Sequence, residues 1–387
     1  MDSITQFALG AAVSGVLLGP KIGARKAVLL GGVLGTLPDL DTFLPSADAV
    51  QAFAGHRSAT HSLIMQAIAT PIIAEPLVRV VRSLRDARIL TYVAVYLVFA
   101  THAMIDAMTV YGTQLLWPLT DTPFGVGSIF IIDPLYTLPL LVVTLWGLFL
   151  AQWSTRFARA LKGALVFSTA YMLLTIPLQQ MMDARAHNLL KAEGITPERQ
   201  LTIPTPFNVV YWRTIAIDGA RLINLDMPLF GDASTTLAYA HARRPDLAGC
   251  LIGTPVFDKL AAFTKGFFRL ELDGERVIMT DLRMGLTPNH VFRFHIANAT
   301  PDGAVPISPP TRETVVRGTD GDIPWIIAGI SQNPTPRPAE QTTQISLNDT
   351  PPAMVRDLRH LVAPRHRETL KPASEPRWDR TAARSST

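Results

Sequence analysis

Long apolar runs fill the chain from its start to about residue 182 and then stop. Six of them, at about 4–19, 27–37, 63–81, 89–108, 129–151 and 161–181, approach the roughly 20 residues that a bilayer-crossing helix needs, the second being short. Beyond them the period changes. "FNVVYWRTIAI" (207–217), "FFRLELDGERVIMTDLRMG" (267–285) and "HVFRFHIA" (290–297) alternate apolar and polar positions around a "DGE" turn, which predicts antiparallel strands, while "PVFDKLAAFTKGF" (255–267) has helical spacing. After about Asn333 proline, arginine and threonine dominate and the apolar spacing fades. The expected architecture is mainly α: a multi-pass helical membrane domain (1–185), a small α+β C-terminal domain (200–330) and a mostly disordered tail (331–387).

Composition supports a membrane protein: over 387 residues the mean hydropathy is +0.24 and only 17% of residues are charged. Asp2 and the lack of any basic residue before the first run argue against a cleaved signal peptide. Lys21, Arg25 and Lys26 follow the first run, Arg79, Arg82, Arg85 and Arg88 the third, and Arg156, Arg159 and Lys162 the fifth. The positive-inside rule makes that side cytoplasmic and puts the N-terminus, the even loops and the C-terminal domain outside the cytoplasm. Cys250, the sole cysteine, excludes an intrachain disulfide and a thiolate zinc cluster. A net charge of +4 does not call for nucleic acid.

The polar residues can then be placed on this map. In "GTLPDLDTF" Pro38 biases Leu37 out of the helix, so Asp39 and Asp41 are expected in a turn. "HRSATHS" carries His56 and His61; with Ser58 or Thr60 as N-cap, His61 would lie in the first helical turn, where the helix dipole keeps the ring neutral. "THAMIDAM" stacks His102 and Asp106 one turn apart, and "IIDPLYT" sets Asp133 before Pro134. All fall on one membrane face. Singly each reads as a cap, a turn residue or an interfacial polar group, but ionisable groups near bilayer depth are costly and take partners. Their convergence predicts a metal site. Histidine and carboxylate without thiolate suit a divalent ion, zinc first, with manganese or iron as alternatives. Asp41, His56, His61, His102 and Asp106 are the expected ligands, with Asp133 a further ligand or a group orienting a histidine. Asp39 is a ligand or general base, and Arg57 a clamp on an anionic substrate. Asp183 and His187, spaced i,i+4, read as a helix-terminus pair, and His290 and His295 as strand residues.

"MDSITQ", "LPDLD", "HRSATHS", "HAMID" and "IIDPLYT", in this order, resemble the YdjM-like family of membrane-bound, metal-dependent hydrolases over about the first 185 residues, and more loosely as far as "PTPFNVVYWR" (204–213). The resemblance implies a multi-pass bacterial inner-membrane protein with a hydrolytic metal centre. It departs at Gln6, where many members carry histidine. The order of an aspartate, a histidine and a His-x-x-x-Asp pair is also similar to part of the ligand pattern of zinc-dependent phospholipases C and their nuclease relatives, without the later His-x-x-x-Glu pair, which implies one or two metals. The expected function is hydrolysis, by a metal-activated water, of an amphiphilic or phosphate-containing substrate drawn from among membrane lipids. Two other classes compete: an ion-coupled transporter, which an inverted repeat would favour and none is visible, and a membrane-anchored regulatory protein with a structural metal.

Overall fold

The computed structural model describes residues 1–150, 152–301 and 303–345, and in them the apolar runs of the first half are helices. α1 (Ser3–Ile22) and α2 (Ala24–Thr36) form a hairpin; α3 (Ala49–Gly55) is a short insertion; α4 (Leu63–Val80), α5 (Arg88–Met108), α6 (Pro134–Phe149) and α7 (Thr155–Ala192) complete the bundle. Glycine makes the hairpin tight: a Cβ on Gly10 would stand 2.3 Å from the Gly31 carbonyl oxygen, and one on Gly35 would stand 2.6 Å from that of Gln6. The contact sets Gln6 beside the end of α2, where the site begins.

Among the described residues four helices are long and apolar enough to cross a membrane: α1, α4, α5 with its preceding turn, and α7. α2, with 13 residues, and α6, with 16, are about 20 and 24 Å long, short of the ~30 Å hydrocarbon core, so the six apolar runs are not equivalent. Val28, Phe99, Leu140, Phe157 and Leu161 fill the bundle core. At one end Arg25 Nε donates to the Leu148 carbonyl at 2.7 Å, Leu18 packs with Leu84, and basic residues occupy the last turns of α1 and α4 and the first turn of α7. At the other end the starts of α1, α4 and α6 meet the ends of α2 and α5.

α7 does not stop near residue 181. It runs for 38 residues and buries Met182, Ala186 and Leu190 against Trp212, Ile223 and Leu225 of the C-terminal part, so the expected boundary at 185 falls inside a helix. Asp183 ties it to the next strand, accepting from Thr202 Oγ1 at 2.7 Å and Gln200 Nε2 at 2.9 Å, which is a structural role. β1 (Arg199–Pro204), β2 (Tyr211–Asp218), β3 (Arg221–Pro228) and β4 (Leu237–Ala242) pair antiparallel in sequence order. β5 (Phe268–Asp273) and β6 (Arg276–Asp281) continue into a second sheet of order β10-β9-β6-β5, with β9 (Arg293–Thr300) and β10 (Gly303–Arg312); β7 (Gly285–Leu286) and β8 (Asn289–His290) form a small ribbon. The strands and the helix expected from alternation are present, the helix being α8 (Pro255–Phe263).

α3 belongs to both halves. Its Val50, Phe53 and Ala54, with Tyr111, share one core with Phe263, Leu270, Met279 and Phe294, so the second sheet is packed onto the site end of the bundle. The expected tail also begins too early. After α9 (Asp322–Ile330), residues 331–345 fold back, β11 (Gln344–Ile345) pairs with β4, and Arg337 and Glu340 are fully buried. Its proline, arginine and threonine content and lack of apolar spacing predict disorder, but Arg337 is paired with Asp322 and Glu340 in the interior. Residues 346–387, the rest of the expected disordered tail, lie outside the described residues.

Candidate metal centre

The first donor comes from the turn after α2. Leu37 remains in the right-handed helical region (φ −60, ψ −40), and Pro38 takes the first position of a 3-10 turn, Pro38–Phe43, where its missing N–H costs nothing. The expectation that Pro38 would force Leu37 extended is thus corrected, while Asp39 and Asp41 do sit in a turn. The second comes from "HRSATHS", in which Arg57 adopts a left-handed backbone (φ 64) and Ala59–His61 form another 3-10 turn. Ser62, rather than Ser58 or Thr60, caps α4, accepting from Met65 N at 3.4 Å. The Thr60 hydroxyl is otherwise engaged: it donates to Asp41 Oδ2 at 2.9 Å, and Arg57 N donates to the same oxygen at 3.3 Å, stitching the two turns together. His61 therefore precedes the helix, and the dipole argument for a neutral ring does not apply. Burial favours the neutral ring, but the Asp106 and Asp39 carboxylates outweigh it and raise the pKa of His61.

The last turns of α5 supply the other two donors. His61 Nε2 and His102 Nε2 face each other at 3.0 Å. Asp39 Oδ1 stands 3.2 and 3.6 Å from these nitrogens, and Asp106 Oδ2 stands 3.4 and 3.6 Å from them. All four donor atoms lie within 4.8 Å of one another. Tetrahedral coordination with bonds of about 2.0–2.1 Å has edges of about 3.3 Å, so the nitrogen–nitrogen and nitrogen–oxygen separations match a single ion. The protonation pattern agrees. His102 Nδ1 donates to the Gly35 carbonyl at 2.6 Å, which leaves its Nε2 as a lone pair aimed into the cluster. His61, His102 and Asp106 are buried, and Asp106 Oδ2 and Gln6 Oε1 are buried acceptors without a hydrogen-bond donor among the described residues. Arg57 Nε is the unpaired donor beside them.

Around these donors sit the groups that orient them. Gln6 Nε2 donates to Asp106 Oδ1 at 3.0 Å and to the His102 carbonyl at 3.4 Å, and the Met1 amine donates to the same Oδ1. Arg57 Nε is 3.2 Å from Asp106 Oδ2, and its Nη1 donates to Thr109 Oγ1 at 3.2 Å, so this guanidinium is engaged inside the site. Asp41 and His56 stand one step out: His56 Nδ1 is 2.8 Å from Asp41 Oδ1, and the His56 and His61 ring centroids are 5.5 Å apart. Asp133 is not among the gathered donors. It caps α6, accepting from Leu135 N at 2.9 Å and Tyr136 N at 3.1 Å, and takes the Tyr171 hydroxyl at 2.9 Å. Proline at the first helical position makes Asp133 the capping residue, which uses up its carboxylate. The Gly35 carbonyl, which fixes the His102 tautomer, carries no side-chain signal in the sequence. In front of Asp41, His56 and Arg57 opens a cavity of about 1140 Å³, roofed by the C-terminal sheets.

No curated protein and no solved structure matches the chain. A family model described as YdjM inner membrane protein matches residues 1–183, a span that contains Asp39, His61, His102 and Asp106 together with Gln6, Asp41, His56 and Arg57. Residues 1–183 of this chain are therefore similar to the YdjM inner membrane proteins.

Proposed function

We propose that the chain is a membrane-bound, metal-dependent hydrolase acting on a phosphoester or lipid-like substrate. The observation that carries this reading is the facing pair of imidazole Nε2 atoms with two carboxylates at tetrahedral spacing, set beside a histidine–aspartate pair on a large cavity. A divalent ion, zinc by the donor set, supplies electrophilic polarisation and acidifies water. Asp39, His61, His102 and Asp106 hold it; Gln6 and Arg57 orient Asp106. His56 is suited to accept a proton, because donation from its Nδ1 to Asp41 leaves Nε2 as the basic atom. In that arrangement Asp39 serves as a ligand.

Purified full-length protein in detergent is expected to retain about one zinc per chain and to turn over at least one member of a panel of phosphomonoesters, phosphodiesters and carboxylic esters, with activity lost on chelation and restored by zinc. Absence of a stoichiometric transition metal would sink the proposal, and bound metal with no turnover would favour the structural-metal reading.

The site is proposed to face away from the cytoplasm, since the basic turns lie at the opposite end of the bundle. In a Cys250→Ala background, a membrane-impermeant thiol reagent applied to intact cells is expected to label a cysteine placed at Asp121 and to spare one placed at Ser83. The reverse pattern would invert the orientation.

A further inference from the structure

The cavity in front of His56 is unbalanced in charge. Its wall holds Arg57, Arg213, Arg283, Arg312 and Arg317 against a single carboxylate, Asp41. Arg57 is engaged by Asp106, Arg213 by Asp226 and Glu340, and Arg283 by Asp281. Arg312 and Arg317 have no carboxylate partner among the described residues, and Arg312 Nη2 reaches only the Val291 carbonyl, at 3.4 Å. Arg312 and Arg317 are exposed on the cavity rim, and partial desolvation together with Arg317 pushes the pKa of Arg312 down.

These guanidiniums are connected to the metal centre by a ledge of rings. Arg312 lies 4.6 Å over Phe292, whose centroid is 5.7 Å from that of Tyr111, which is in turn 5.7 Å from that of His56. The remaining wall is largely apolar, and two of its members, Leu44 (63% exposed) and Ile132 (43% exposed), lie at the site end of the helices, just after the Asp39 turn and just before α6. A volume of about 1140 Å³ is more than most compact ligands fill.

The geometry points to an amphiphilic anion as the ligand of this cavity, with a phosphate-type head held by Arg312 and Arg317 and its apolar chains along the wall that faces the helical bundle. Guanidinium matches phosphate oxygens in shape as well as charge. The C-terminal sheets then supply the headgroup clamp, and the helical half supplies the apolar wall and the metal donors. That this ligand is also the substrate rests on the hydrolase reading above; its binding does not.

The test is a direct binding measurement on full-length protein in an uncharged detergent, after chelation so that no turnover intervenes. The probes are dihexanoyl phosphatidate, glycerol 3-phosphate and dihexanoylglycerol. Phosphatidate is expected to bind at least tenfold more tightly than either the head or the chains alone. Arg312→Ala/Arg317→Ala is expected to weaken phosphatidate binding at least tenfold, with unchanged zinc content on reloading and an unchanged melting temperature, and Arg312→Lys/Arg317→Lys to recover part of it. Equal affinity in the alanine variant overturns the proposal. So does equal binding of glycerol 3-phosphate, which would make this a site for free phosphate esters, or of dihexanoylglycerol, which would make it an uncharged apolar pocket. Phosphatidate binding together with no turnover of any member of the ester panel by the metal-loaded protein would instead fail the hydrolase reading and leave the binding site standing.

Discussion

Two buried clusters of charge, one at the end of the helices and one against the first sheet, are built from similar side chains and left open in different ways. Against the sheet, Arg213 forks onto Asp226 at 2.6 and 2.8 Å and reaches Glu340 at 2.7 Å. Arg337 pairs with Asp322 at 2.8 Å and Glu340 at 3.0 Å, and Asn224 and His241 complete Glu340 at 2.7 and 2.9 Å. Every carboxylate there has its cation, and the atoms left over include donors, Arg213 Nη1 and Trp325 Nε1. At the helix ends the atoms left over include two acceptors, Asp106 Oδ2 and Gln6 Oε1, beside one donor, Arg57 Nε, and two imidazoles turn their Nε2 atoms toward each other. A paired network holds a fold together; two facing imidazoles flanked by two carboxylates at tetrahedral spacing suit a divalent cation.

The comparison breaks most sharply on metal content. His61→Ala and His102→Ala are each expected to lower bound zinc at least tenfold by elemental analysis, since groups that merely orient a ligand are already worth roughly 10- to 100-fold. Glu340→Gln is expected to leave zinc unchanged but to cost about 1.5–3 kcal/mol of unfolding stability, because it removes the charge shared by Arg213 and Arg337, which keep Asp226 and Asp322. Equal metal loss in Glu340→Gln would mean that the two clusters are not separable. The network also has a pH signature. Burial opposes ionisation of Glu340, but Arg213 and His241 hold it well below the usual carboxylate range, so its contribution is intact above an unfolded pKa of about 4.3 and is lost as pH falls below that. Denaturant midpoints measured from pH 6 downward should fall less steeply in Glu340→Gln. The smallest effect is expected at Asp183→Asn, which weakens the links to Thr202 and Gln200 at roughly 1 kcal/mol per hydrogen bond and leaves metal content unchanged; zinc loss there would revive Asp183 as a ligand.

The donors were legible in the sequence because they punctuate apolar runs, where a polar residue stands out and alternating run direction places it at one end. Separating Asp39 from Asp41, and His61 from His56, was not legible: each pair lies on one turn, and only the folded geometry decides which member meets His102. Asp133 shows the limit of counting carboxylates, since the proline that made it conspicuous also made it a cap. In the C-terminal half β3 carries the alternation too, Ile223, Leu225 and Met227 against Asn224 and Asp226, but its polar face is buried in the charged network rather than solvated, which the pattern alone does not tell. The same network hid the fold of residues 331–345, since composition registers Arg337 and Glu340 as solvated charges and has no measure of whether they meet.

The 38-residue α7 is about 57 Å long and has one foot in each half of the molecule. It therefore works as a lever. The first sheet rides on Met182, Ala186 and Leu190, so the direction of this one rod fixes where that sheet stands relative to the bundle, and Pro177 leaves one backbone hydrogen bond unmade inside it.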